Sequence, residues 1–268
     1  MSDLAPPTPA EPAGPELASA AASLQWLVDA GVDTFVADAP GNWLQAAYKL
    51  PAPDAHAADP APAAPAKAAP AFPAAPVGPA LAARTLTDLA EEASALQLAV
   101  RRPGAPFVFA DGNPDSGVMI VGEAPGQQEE RERRPFVGPA GQLLDRMMAA
   151  IGLDRQSAYI TNLSPWRPPS NRTPSVAEAA ECLPILERHI AIVRPRALLL
   201  VGGTSAKALL GTETGIMRLR GRWQDIEIEG ASYPVMPTFH PAYLLRQPAQ
   251  KRLVWRDLLA FQKRIRNE

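Results

Sequence analysis

The chain has one cysteine, Cys182, among 268 residues. A single thiol excludes an internal disulfide and any metal site built from cysteines alone. The three histidines, His56, His189 and His240, are too scattered for zinc-ligand spacing. No apolar run approaches the length of a membrane span, and the first residues lack the basic and apolar regions of a secretory signal. A soluble, cytoplasmic chain is the expectation. Neither a Gly-x-Gly-x-x-Gly fingerprint nor a phosphate-loop lysine motif is present, which argues against a nucleotide-binding domain acting on small molecules.

Charge of one sign is scarce in the front of the chain. Residues 1–117 hold 5 Lys+Arg against 13 Asp+Glu, and residues 118–268 hold 21 against 15. The small net charge of −2 therefore hides a basic second half, the balance expected where a partner is anionic.

Composition divides the chain into three parts. Residues 1–50 read as an acidic segment with one amphipathic helix over about 18–30, carrying Leu24, Trp26, Leu27 and Val28 and ended by Gly31. Residues 51–80 are almost wholly Ala, Pro and small polar residues and read as a disordered linker, too poor in large apolar groups to offset the cost of ordering. The tethered helix either docks back on the main domain or meets a separate protein partner. Residues 81–268 read as the working domain.

Within that domain, strands and helices alternate. Helices are expected over 86–100, 140–151, 175–193, 204–210 and 250–266. Strands are expected over 118–122, 158–162, 197–202 and 233–238, with a small hairpin before the last. Ser175 and Glu178 form a capping-box pair, and Leu143, Leu144, Met147 and Met148 share a core face. The alternation implies an α/β fold, a three-layer αβα sandwich around a central four-stranded, mainly parallel sheet.

The informative residues sit at the strand ends. Glu123 closes the run from Val118 in Gly122-Glu123-Ala124-Pro125-Gly126, and Phe136 follows thirteen residues later inside Pro135-Phe136-Val137-Gly138-Pro139-Ala140-Gly141. Thr161-Asn162 ends a second run, and His240-Pro241-Ala242-Tyr243 ends a fourth. An acid, an aromatic, an amide and an imidazole, each at or just past a strand end, suggest a pocket for a flat ring in the crevice of an open sheet.

These motifs, with Arg167-Pro168-Pro169-Ser170-Asn171-Arg172 and Leu244-Leu245-Arg246 after the histidine, resemble the uracil-DNA glycosylase superfamily, most closely its bacterial and archaeal family 4. The likeness runs from about Leu86 to the C-terminus. It implies hydrolysis of the N-glycosidic bond of deoxyuridine in single- or double-stranded DNA, on a base turned out of the stack. A binder of uracil-containing or abasic DNA with little turnover is the alternative. By this resemblance Phe136 stacks on the base, Asn162 reads its edge, and an amide fixed one way favours uracil over cytosine. Glu123 orients water and stabilises the cationic sugar, while His240 donates to the uracil carbonyl that gains charge. Glu129 stands near the 5-position of the base. Thr204 and Ser205, at a helix start, offer a phosphate seat. Arg220 and Arg222, in the basic run closed by Trp223, suit phosphates. Leu244, Leu245 and Arg246 lie where a wedge enters the vacated stack. The enzyme implied is a monomer.

One departure concerns a cofactor. Family 4 members hold a four-iron, four-sulfur cluster on four cysteines, of which only the position of Cys182 is kept; Trp166 stands at the third, and the stretch Gln97 to Pro103 holds no cysteine. One thiolate does not hold such a cluster. The expectation is no metal, with Trp166 filling the space. A sister group that forms a covalent DNA adduct has Gln in place of Ala124 and an added histidine loop. Arg218-Leu219-Arg220-Gly221-Arg222-Trp223 lacks that histidine, so hydrolytic turnover is expected.

Overall fold

The computed structural model describes Ala22 and residues 78–267. The helix expected over 18–30 and the linker expected over 51–80 lie outside the described residues, apart from Ala22 and residues 78–80. The helices are α1 Leu86–Ala95, α2 Gln127–Glu132, α3 Pro139–Ala149, α4 Val176–Val193, α5 Gly203–Leu210, α6 Ile216–Leu219, α7 Pro241–Arg246 and α8 Lys251–Asn267. The strands are β1 Ala110–Gly112, β2 Val118–Gly122, β3 Tyr159–Asn162, β4 Ala197–Val201, β5 Gln224–Ile228 and β6 Ala231–Thr238.

The strands form one sheet in the order β1-β3-β2-β4-β6-β5. The inner four, β3, β2, β4 and β6, run parallel, while β1 and β5 add antiparallel edges. The expected four-stranded parallel core is thus present, inside a sheet of six. β5 is the outer arm of the hairpin read from the sequence. β1 escaped notice because three residues show no periodicity.

Every residue of β2 and β4 is buried, as continuous apolar strands are when helices cover both faces. Successive side chains point to opposite faces. Val118 and Ile120 accordingly join the core under α3, α7 and α8, with Leu144, Met147, Val254 and Phe261. Met119 and Val121 join the core under α4 and α5, with Leu183, Leu186, Ile190 and Ala206. A third, smaller core packs α1 on α4 and contains Leu89, Val100, Trp166, Cys182 and Ile185.

Helix ends follow local chemistry. Ser175 caps α4 by accepting from the Glu178 N–H at 3.2 Å, and the Glu178 carboxylate accepts from the Ser175 N–H at 2.8 Å. α1 stops five residues short of its expected end. The Arg101 guanidinium collects the carbonyls of Ser94 and Leu96 at 2.9 and 2.6 Å, and the chain turns so that Val100 reaches the third core. α5 begins one residue before its expected start, at Gly203, with Gly202 as its N-cap. Gly202 has φ +126, a conformation that glycine adopts readily. Gly211, at φ +57, ends α5.

Candidate active site

The carboxyl ends of the four parallel strands open into a cleft of about 750 Å³, lined among others by Glu123, Phe136, Asn162, Gly202, His240 and Arg246. Its position follows from topology. From β2 the chain passes to β3 on one side and from there crosses to β4 on the other, and such a switch leaves a crevice outside the strand ends. Glu123 follows β2 at that crevice, Asn162 ends β3, Gly202 follows β4, and His240 comes two residues after β6.

Each side chain is held by something specific. One oxygen of the Glu123 carboxylate accepts the Thr204 N–H at 3.2 Å, so the acid sits at the N-terminus of α5, where unpaired amides favour negative charge. A Cβ on Gly202 would come within 2.6 Å of that carboxylate. Asn162 and Phe136 lie across Gly122, where an added Cβ would meet the Asn162 oxygen at 2.3 Å and the Phe136 ring at 2.5 Å. Gly122 is glycine because the recognition side chains occupy its side-chain space.

Phe136 is buried and has φ +55, a left-handed backbone unusual for an aromatic residue. Three neighbours hold it there. Arg155 donates to the carbonyls of Pro135 and Phe136, and is itself tied to Asp111 and Asp145. Gly141 packs directly on the Phe136 carbonyl, leaving no room for a Cβ. The ring stacks with His240 at 5.7 Å between centroids and 28° between planes.

His240 is the N-cap of α7, and its Nδ1 accepts the Ala242 N–H at 3.1 Å. With Nδ1 an acceptor, the proton of the neutral ring lies on Nε2. Burial lowers the proton affinity of the imidazole from its usual value; nearby Glu123 pulls the other way without reversing this. The structure therefore presents a neutral ring with one N–H donor.

Other expected roles change. The oxygens of Glu129 accept from the N–H groups of Gly126, Val137 and Gly138 at 3.1, 2.9 and 2.8 Å. Glu129 lines the cleft, but its carboxylate ties the two glycine-rich turns together. At the start of α5, read as a phosphate seat, the Thr204 amide is turned to Glu123 and Ser205 is fully buried. Arg220 is corrected. Its guanidinium faces inward, paired with Asp257, bonded to the Leu253 carbonyl and set 5.3 Å over the Phe239 ring. Arg222 is exposed. Leu244 is 0% exposed and packs in the core, so it presents no wedge, whereas Leu245 is 44% exposed and Arg246 borders the cleft.

Two residues that the sequence reading missed matter here. Asp257 accepts from Thr238 at 2.7 Å and braces the end of β6 that carries His240. Its signal was an acid on the inward stripe of α8, between Val254 and Leu258. Arg155, which positions Phe136, has no local signal, because its partners are distant in sequence.

A family model described as the uracil DNA glycosylase superfamily matches residues 109–259. A type-4 uracil-DNA glycosylase of Pyrobaculum aerophilum is 41% identical over 158 residues, 58% of this chain and 81% of that one. One from Thermotoga maritima is 37% identical over 164 residues, 60% of this chain and 84% of that one. A DNA polymerase of Bacillus phage SP01 is 30% identical over 148 residues, 55% of this chain and 16% of the polymerase.

Proposed function

The chain belongs to the uracil-DNA glycosylase superfamily, and from that premise we propose that it hydrolyses the bond between uracil and deoxyribose in DNA, with the reaction carried out by residues 81–268 acting as a monomer. The observation that carries the assignment of roles is the pair formed by Glu123 and His240, an anion and a neutral N–H donor on the same cleft, each fixed by a backbone amide.

The steps follow from these positions. The deoxyuridine leaves the stack and its base enters the cleft against Phe136, with its edge toward Asn162. The Asn162 amide bonds the base edge, and the opposite donor and acceptor pattern of cytosine leaves it mispaired. As the C1′–N1 bond lengthens, its electron pair passes to the uracil ring and charge gathers on the carbonyl that faces Nε2–H of His240. The Glu123 carboxylate stabilises the positive sugar and orients a water whose oxygen bonds to C1′; the water proton passes to the carboxylate or to solvent. Uracil departs as its anion and is protonated afterwards. Preorganised charges in a partly dehydrated cleft are the main source of rate in such a scheme.

The cluster that the family 4 likeness implies does not fit the donor set. Cys182 is buried, and burial pushes its thiol up to about 12. Trp166, with no ligating atom, is fully buried beside it, tilted on Phe107 at 5.4 Å and covered by the Arg101 guanidinium at 5.4 Å. Among the described residues no three His, Cys, Asp or Glu side chains gather as a metal site. The reading is of an enzyme whose third core replaces the cluster. Excision of uracil from an oligonucleotide, read as strand breakage after alkali, is expected to proceed unchanged in EDTA. Absence of breakage, or activity restored only by added metal, would overturn it.

A further inference from the structure

A second cleft, of about 620 Å³, adjoins the first. It is lined by Arg102, Arg131, Arg167, Glu130, Gln127 and Gln128, three cations and two amides against one acid. The two clefts share their walls. Gly126 and Glu129, at the start of α2, face the first, and Gln127, Gln128, Glu130 and Arg131 face the second. In the loop after β3 Pro168 and Asn171 border the first, and Arg167 borders the second. Their separation is therefore about one helix diameter, roughly 10 Å.

The arginines are arranged, and not all neutralised. Glu130 bridges Arg102 on one oxygen and Arg167 on the other, the latter at 2.9 Å, so one carboxylate sets two guanidiniums and leaves a positive surplus. The Nε–H of Arg102 is buried without a partner among the described residues. Among the described residues Arg131 pairs with Glu132 alone, at 3.3 Å, with its side chain 73% exposed. Planar guanidiniums with spare donors suit phosphate oxygens.

We propose that this cleft is a phosphate-binding track for the substrate strand, taking the phosphodiesters two or three nucleotides from the extruded deoxyuridine. The register follows from roughly 10 Å of separation and about 3.4 Å of rise per nucleotide. This rests on the first cleft being the uracil site. Arg131 and Arg102 supply the contacts, while Glu130 holds Arg102 beside Arg167 and Gln127 and Gln128 offer neutral donors. The track takes over the backbone-gripping task that the N-terminus of α5, occupied by Glu123, does not perform.

The test separates gripping from chemistry. Binding of a deoxyuridine oligonucleotide is measured by fluorescence anisotropy across a salt series, in a Glu123→Gln background so that turnover does not intervene. Arg131→Ala and Arg102→Ala are each expected to weaken binding roughly tenfold and to reduce the slope of log affinity against log salt by about 0.7–0.9. Arg256→Ala, the same charge change on the exposed face of α8, is expected to leave the slope unchanged. Methylphosphonates placed singly at the three phosphates on either side of the deoxyuridine are expected to weaken binding at one or two positions, and not further in Arg131→Ala. In the otherwise native enzyme, Arg131→Ala is expected to raise KM far more than it lowers kcat. Slopes equal to the parent in both variants, or losses matching those of Arg256→Ala, would overturn the track. Failure of the parent enzyme to excise uracil would instead overturn the reading of the first cleft, and leaves the anisotropy result to be read by itself.

Discussion

Glu123 and His240 act through charge and through a single N–H, so their replacements isolate those properties. Glu123→Gln removes the anion and keeps the shape; His240→Ala removes the donor. Each is expected to slow single-turnover excision by about two to three orders of magnitude, with oligonucleotide binding nearly kept. The pH profile carries a sign. Burial lowers the proton affinity of His240, so the neutral ring persists below the ordinary 6.5. The rate should hold as pH falls through that value and decline only at lower pH, where a proton on Nδ1 would face the Ala242 N–H that it now accepts. A decline centred on the ordinary histidine value would contradict this. At this scale the sequence exposed residues at strand ends, because a polar group after an apolar run has few structural uses. It did not reveal orientation. Arg220 and Leu244 sit in motifs that suggest DNA contact, yet Asp257 draws one inward and the α7 helix turns the other into the core.

Among the elements, α4 spans one face of the sheet and carries Cys182 and Ile185 into the third core. Its N-terminus depends on Glu178, whose side chain bonds Ser175 and pairs with Arg172. The Arg172 bonds, with the Ser175 amide, depress the Glu178 carboxyl to about 2 against an ordinary 4.5. A carboxyl lowered in the folded state contributes stability above its unfolded value, and this is lost as pH falls through the folded one. Acid unfolding should therefore include a component between about pH 4.5 and 2 that Glu178→Gln abolishes, visible as a flatter dependence of urea midpoint on pH. Long elements such as α4 and α8 were readable because capping residues and periodic apolar faces extend over many turns. β1 was not, since its three residues form a strand through antiparallel pairing with the distant β3. The end of α1 was hidden for a related reason: it is set by Arg101 reaching back, a bond between groups rather than a preference of either.

Across the whole molecule, three apolar cores share one sheet, and the smallest is built around Trp166. Trp166→Ala would leave a void among Leu89, Val100, Phe107, Cys182 and Ile185. The expected loss is about 3–5 kcal/mol, read from chemical denaturation, with excision retained where the variant stays folded, since no residue of this core lines the uracil cleft. A neutral substitution would show that the ring does not hold this part of the molecule together.

The sheet's two edges also bear on how copies of the molecule meet. An unpaired edge strand is a template on which another chain can add. Here one edge is a three-residue strand ending in Gly112, and the other places Asp225 and Glu227, both exposed, along β5. A second β5 brought alongside would set carboxylates against carboxylates, and β1 offers a further strand three residues at most. Crowded on a nucleic acid at high local concentration, such molecules can slide past one another without their sheets fusing.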